Sequence, residues 1–299
     1  MRTSSASAGQ AAEQPLWRDL IALTKPRILM SNLFAAFGGF WLASQWDIDW
    51  VRLLYTLVGT TLVMASACVF NNYLDREMDT KMERTRNRAL PMKRMNPNGV
   101  LAYGAVLGAA GLLVLAAVSL LCAALGLLGM FVYVVVYTAW LKRTSTLSTS
   151  IGGVSGSMPP VIGYCAVAGE VDAGAWLLFL ILFLWQPPHF WALGIRRTEE
   201  YRAAGFPLLP VVKGALRTKI QMIPYLVLLI VCTALLFVYD YVGIIYLIVS
   251  VGLGLIWLLL AISGFFVKND EAWAKRTFKF SVNYLMITFL IMIIDTVRV

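Results

Sequence analysis

Nine stretches of mainly apolar residues follow one another along the chain, each near the roughly 20 residues that cross a bilayer. They run Ile21 to Ser44, Arg52 to Phe70, Val100 to Ser119, Cys122 to Leu141, Thr149 to Ala168, Ala175 to Leu193, Met222 to Tyr239, Val242 to Phe265 and Phe280 to Thr296. In hydrocarbon every backbone N–H and C=O must find a partner inside the protein, so runs of this length form helices. The sequence therefore predicts an all-α integral membrane protein with nine transmembrane helices. Hydrophobic residues make up 60% of the chain and charged residues 14%, against about 25% charged in soluble domains. A soluble enzyme and a disordered chain are excluded. Cys68, Cys122, Cys165 and Cys232 sit singly inside apolar runs, which supports neither a disulfide framework nor a zinc site. Residues 1–17, rich in Ser, Ala and Gln, read as a disordered tail, and residues 18–299 as a single transmembrane domain.

Charge fixes the orientation. With the tail on the cytoplasmic side, 23 of the 25 Lys and Arg residues fall on that side; only Arg52 and Arg298 face the other. This is the positive-inside pattern, and it accounts for the net charge of +9 without invoking nucleic acid. It puts the N-terminus in the cytoplasm and the C-terminus outside. The two longest connections, Arg76 to Asn98 and Arg196 to Gln221, share the cytoplasmic face. They mix aromatic, Pro, Gly and charged residues, which predicts ordered, functional loops that cap the bundle.

The second run leads straight into Asn71-Asn72-Tyr73-Leu74-Asp75-Arg76-Glu77-Met78-Asp79. Asn71, Asp75 and Asp79 are spaced i, i+4, i+8, which on a continuous helix makes one stripe with the carboxylates about 6 Å apart along the axis. Oxygen ligands so placed suit Mg²⁺, which takes one or two carboxylates together with phosphate oxygens. A solvated helix end with ordinary charge pairs would look similar, but carboxylates at the end of an apolar span are costly and usually functional. Immediately downstream lie Arg84, Arg86 and Arg88, and at the end of the fourth run Lys142 and Arg143. Carboxylates for the metal beside cations for phosphate oxygens are what a diphosphate site requires. For any one of these cations, plain positive-inside anchoring explains it equally well.

Pro159-Pro160 and Pro187-Pro188 lie inside apolar runs, and the pattern predicts helix breaks facing an internal cavity. Gly152 and Gly156 form a GxxxG suited to close helix approach. Trp185, Phe190 and Trp191 are suited to enclose a prenyl chain or a flat macrocycle, although an interfacial aromatic belt accounts for Trp191 and Tyr201 as well. His189 is the only histidine. A lone histidine is more often a hydrogen-bonded structural group than a catalyst, and one imidazole rules out a centre needing two. Glu199 and Glu200 offer a second acidic site on the cytoplasmic face.

Several motifs together resemble those of the UbiA superfamily of intramembrane prenyltransferases, and within it the branch that farnesylates protohaem IX. They are Leu23-Thr24-Lys25-Pro26-Arg27, the Asn71 to Arg76 run with Asp79, Lys81 to Arg88, Pro159 to Tyr164, Trp185-Gln186-Pro187-Pro188-His189, Tyr201 to Gly205, and Leu209-Pro210-Val211-Val212. The resemblance spans about residues 20–299 and implies nine helices around a central cavity. It implies Mg²⁺ held by Asn71, Asp75, Asp79, Glu199 and Glu200. Farnesyl diphosphate would be bound by Lys25, Arg27, Asn32, Arg84, Arg86, Arg88, Lys142 and Arg143, with Asp75, Asp79 and Lys142 at the chemistry. Trp185, His189, Phe190, Trp191 and Tyr201 would line the haem or prenyl pocket. Haem b is then a substrate and not a resident cofactor, the product is haem O, and a haem A synthase or terminal oxidase assembly is the implied consumer. Two rivals stay open: the same family acting on an aromatic quinone precursor, and a transporter. Transporters place ionisable groups near the bilayer midplane, whereas here nearly all charges sit at span ends.

Overall fold

Helix starts in this chain are written by caps at the ends of the apolar runs. In a computed structural model, which describes residues 15–298, the side chain of Asp49 accepts from Arg52 N to start α3 (Trp50–Asp75). Asn96 and Pro97 start α4 (Pro97–Val118), and Ser119 accepts from Cys122 N to start α5 (Leu120–Thr144). Each cap satisfies an N–H that the helix itself leaves unpaired. The third and fourth runs therefore separate at Ser119. Beyond them lie α6 (Ser148–Ala168), α7 (Ala173–Arg196), the short α8 (Thr198–Ala203), α9 (Leu209–Val238), α10 (Ile244–Ser263) and α11 (Asp270–Ile294).

The first apolar run is two helices, α1 (Leu16–Thr24) and α2 (Pro26–Ser44), bent by 43°. The residue before a proline is pushed away from the right-handed helical region, and Lys25 takes φ 55°. Helix α1 turns Asp19 and Leu23 inward and leaves Leu16, Trp17 and Ile21 exposed. It begins at Leu16, inside the stretch read as a disordered tail; residues 1–14 of that tail lie outside the described residues. Among the described residues, eight helices are long and apolar enough to cross a membrane, and the bent α1–α2 pair makes nine. No strand occurs among them, only an isolated bridge between Val242 and Thr296.

Neither proline pair breaks its helix: α6 runs through Pro159-Pro160 and α7 through Pro187-Pro188. All four prolines are buried, and neighbouring helices hold the chain straight where the missing N–H groups would otherwise loosen it. The tightest helix contact also differs from the GxxxG expectation. Gly152 faces the Tyr137 ring and Gly156 the Gln186 amide. Backbones instead meet where α2 crosses α6: a Cβ on Gly39 would lie 2.0 Å from the Pro160 carbonyl oxygen, and one on Gly163 2.0 Å from that of Ala36. The main core, with Leu42, Tyr164, Leu178, Trp257 and Phe289 buried, spreads from this crossing across α7, α9, α10 and α11. The last helix returns to α2 through Phe34 and Phe289, ring centroids 6.4 Å apart, and Trp46 Nε1 donates to Thr296 O at 2.9 Å.

This crossing yields a test. Gly163→Val forces α2 and α6 apart and is expected to cost about 1–3 kcal/mol, read as a lower thermal midpoint of the detergent-solubilised protein. Gly252→Ala on α10, where nothing lies within 4 Å of the added carbon, should leave the midpoint unchanged or slightly raised.

Candidate active site

Helix α3 carries Asn71 and Asp75 near its C-terminal end, both buried. Asp75 Oδ2 accepts from Lys142 Nζ at 2.5 Å and from Asn71 Nδ2 at 2.9 Å. Its other oxygen, Oδ1, is buried without a hydrogen bond; Arg143 Nη2 lies 3.7 Å from it and donates to Leu74 O at 2.6 Å. Asn71 Oδ1 accepts from Lys25 Nζ at 2.5 Å, and the second proton of its Nδ2 goes to Thr138 Oγ1 at 3.1 Å. Side chains from the α1–α2 bend, the end of α3 and the end of α5 thus meet at one carboxylate.

Asp79 is not on the stripe that the spacing predicted. Helix α3 ends at Asp75, and Asp79 lies in a short 3₁₀ turn, Met78–Lys81. It is buried all the same. Arg88 Nη1 donates to its Oδ2 at 2.6 Å, and Thr85 Oγ1 donates to its carbonyl at 3.1 Å. Of the other predicted phosphate ligands, Arg27, Arg84 and Arg86 are exposed and form no ion pair among the described residues. Asn32 Nδ2 donates back to Ile28 O at 2.8 Å. Glu200 is engaged by Arg197 at 2.9 and 3.0 Å, and the exposed Glu199 by Arg202. Among the described residues no three His, Cys, Asp or Glu side chains converge on one point.

The fourth run contributes more than its apolar pattern showed. Val132–Leu141 is wound as a π-helix, in which residues five apart share a face. Thr138 Oγ1 donates to Tyr133 O, five residues back, at 2.7 Å. The wider winding carries Thr138 to Asn71 and Lys142 to Asp75, and stacks Tyr133 on Tyr137 with centroids 5.7 Å apart. Thr138, Tyr133 and Tyr137 escaped the sequence reading because nothing in an apolar run marks a π register. The one available cue was a threonine and two tyrosines among aliphatic neighbours.

The aromatic set does not form one pocket wall. Trp185 and His189 stack at 4.3 Å, and His189 stacks on Phe278 at 4.6 Å. Ser281 Oγ donates to Phe278 O at 2.7 Å and lies 2.7 Å from His189 Nδ1. His189 is thereby a hydrogen-bonded group in the α7–α11 contact. Trp191 is buried against Tyr225 of α9, and Phe190 is 44% exposed. A side chain every 100° on a straight helix cannot bring residues 185, 190 and 191 to one face. Tyr201 lies elsewhere, on α8, edge-on to Phe206 at 6.4 Å.

Comparison with known proteins places this arrangement in a family. The profile of the UbiA prenyltransferase family matches residues 32–283. The chain belongs to it. It is 48% identical over 289 residues to protoheme IX farnesyltransferase 1 of Bacillus subtilis, covering 93% of this chain and 90% of that protein. Two solved structures share the fold. Digeranylgeranylglyceryl phosphate synthase aligns with a TM-score of 0.79 at 18% identity, over 93% of this chain and 98% of that one. A UbiA homolog from Archaeoglobus fulgidus bound to GPP and Mg²⁺ aligns with a TM-score of 0.67 at 15% identity, over 92% and 99%. The protein is a multi-pass membrane prenyltransferase.

Thr138→Val tests the π-helical register. It keeps the shape and removes the acceptor of one buried Asn71 proton, which is expected to cost about 1–3 kcal/mol. The thermal midpoint should fall, and the affinity for an isoprenyl diphosphate should fall with it as Asn71 lets go of Asp75.

Proposed function

We propose that the protein transfers the farnesyl group of farnesyl diphosphate to a vinyl group of haem b, with addition of water, to give haem O. The observation that carries this reading is near-complete alignment at 48% identity with a protoheme IX farnesyltransferase. The cluster around Asp75 supports it. Lys25, Arg88, Lys142 and Arg143 gather beside two buried carboxylates at the cytoplasmic end of the bundle, where an amphiphile can lay its diphosphate while its chain enters the membrane interior.

A divalent cation fits these residues. Asp75 Oδ1 is a buried carboxylate oxygen with no hydrogen bond, and Asn71 and Asp79 add oxygen donors of the hard type that Mg²⁺ prefers. Bound there, Mg²⁺ supplies positive charge to the diphosphate oxygens. The remaining work falls to the chain. Lys142 and Arg143, released from Asp75, and Lys25, released from Asn71, donate to the diphosphate and stabilise charge growing on it as the allylic C–O bond breaks. The farnesyl cation adds to the haem vinyl carbon; water takes up the resulting cation and loses a proton, and diphosphate leaves. Tyr133 and Tyr137, stacked deeper along α5, help exclude the water that would quench the farnesyl cation early. Glu199 and Glu200 are assigned to the rim, where their arginines hold them, and His189 and Trp191 to support of the wall.

The orientation follows the charge count, with the N-terminus in the cytoplasm and the C-terminus outside in a bacterial inner membrane. The product is a substrate for a haem A synthase or a cofactor for a terminal oxidase. Purified protein given haem b and farnesyl diphosphate with Mg²⁺ should form a heavier, more hydrophobic haem, resolved by liquid chromatography and mass spectrometry, and a chelator should abolish it. Asp75→Ala and Asp79→Ala should each lower turnover by about 10²-fold or more while membrane insertion persists. Turnover at the wild-type rate in either variant removes that residue from the mechanism.

A further inference from the structure

The least expected neighbour of the catalytic lysine is an aromatic ring from the opposite cytoplasmic loop. Lys142 Nζ lies 4.5 Å from the centroid of Phe206 while donating to Asp75 Oδ2 at 2.5 Å. An ammonium has three protons; here one meets a carboxylate and one side of the group rests on a π face. Phe206 is 1% exposed, although its neighbours Arg202, Ala203 and Gly205 are exposed. Its backbone explains how it gets there. Gly205 takes φ 78°, a conformation that glycine adopts without strain. Phe206 N then donates back to Tyr201 O at 3.0 Å, and Gly205 N to Arg202 O at 3.0 Å. The turn drives the ring inward onto Met82 of the first cytoplasmic loop, in a small cluster with Ala204. The two loops therefore meet at Phe206, directly against the lysine that pairs with Asp75.

We propose that Phe206 is a positioning residue: its ring, set in place by docking of the two loops, holds the Lys142 ammonium where it can exchange Asp75 for the diphosphate of the substrate. The proposal rests on the assignment of a diphosphate site at Asp75. A π face suits this task because it attracts a cation without taking its protons. An oxygen acceptor there would compete with the diphosphate, and an aliphatic side chain would leave the ammonium free to follow water out of the site. Loop docking and charge placement become one event.

A double-mutant cycle separates this role from simple packing. The probe is farnesyl thiodiphosphate with Mg²⁺, binding at equilibrium to full-length protein in detergent. Phe206→Leu keeps apolar contact with Met82 and removes the π face. It is expected to weaken binding by about 3- to 30-fold, whereas Phe206→Tyr, which keeps the face, stays within about twofold. In a Lys142→Met background Phe206→Leu should cause no further loss. Wild-type affinity in Phe206→Leu, or the same loss in both backgrounds, overturns the proposal. Failure of the unaltered protein to bind the probe overturns instead the diphosphate site itself, and this inference with it.

Discussion

A carboxylate at the end of a membrane helix is the constraint around which the rest of this structure is arranged. Asp75 is 1% exposed, and an isolated charge so buried would cost several kcal/mol even after relaxation. The protein offsets that cost with Lys142 at 2.5 Å and Asn71 at 2.9 Å. Lys142 reaches Asp75 because α5 ends in a π-helix, and Asn71 is held by Lys25, which sits where Pro26 bends the first span. Two departures from regular helix therefore serve one charge. Because lipid tolerates irregular backbone only where protein or a cavity covers it, such departures concentrate at the site.

The same end of the bundle uses this interaction repeatedly, with carboxylates and cations from different elements paired. Arg94 grips Asp19 with two bonds of 2.8 and 2.9 Å, tying the first loop to α1. Lys219, buried in α9, meets Asp270 of α11 at 2.5 Å and the Gly264 carbonyl at 2.6 Å. The planar two-pronged geometry of arginine on carboxylate fixes direction as well as distance. These clasps draw the loops down onto the bundle, and the apolar contact between Met82 and Phe206 completes the cover. The basic residues concentrated in these connections thus also supply the material of the cap.

Spans and site were legible in the sequence to different depths, for physical reasons. Burial in lipid leaves a long apolar run for every spanning helix, so the helices could be counted. Asp75 and Lys142 could be singled out because charge at a span end is costly. What the pattern could not show is how the chain turns after the span ends. Asp79 obeys helical spacing yet leaves the helix, because Arg88 and Thr85 of the following loop hold it in a 3₁₀ turn. The proline pairs carried the opposite error: local propensity predicts a break, and helices packed on both sides override it. Glu199 and Glu200 looked like partners of Asp75 because they share a membrane face. Arg197 and Arg202, three residues away along the chain, engage them first.

On the proposed reading, the charge count at the site bears on what it is built to receive. Lys25, Arg88, Lys142 and Arg143 carry four positive charges; Asp75 and Asp79 carry two negative ones. The resting cluster is an ion-pair network with a surplus of +2, confined between loops that limit access of water. A bare divalent cation would add to that surplus, so the carboxylates alone do not make a strong metal site. A diphosphate reverses the balance: its oxygens take the lysines and arginines, and the carboxylates are freed as their cations turn away. Each resting pair is in this sense a placeholder that keeps a buried charge satisfied until a ligand of opposite sign replaces its partner. The exchange keeps the number of ion contacts roughly constant, so binding costs less desolvation than building the same contacts from solvated groups. On the proposed reading, occupancy by the anion and occupancy by the metal are coupled through Asp75.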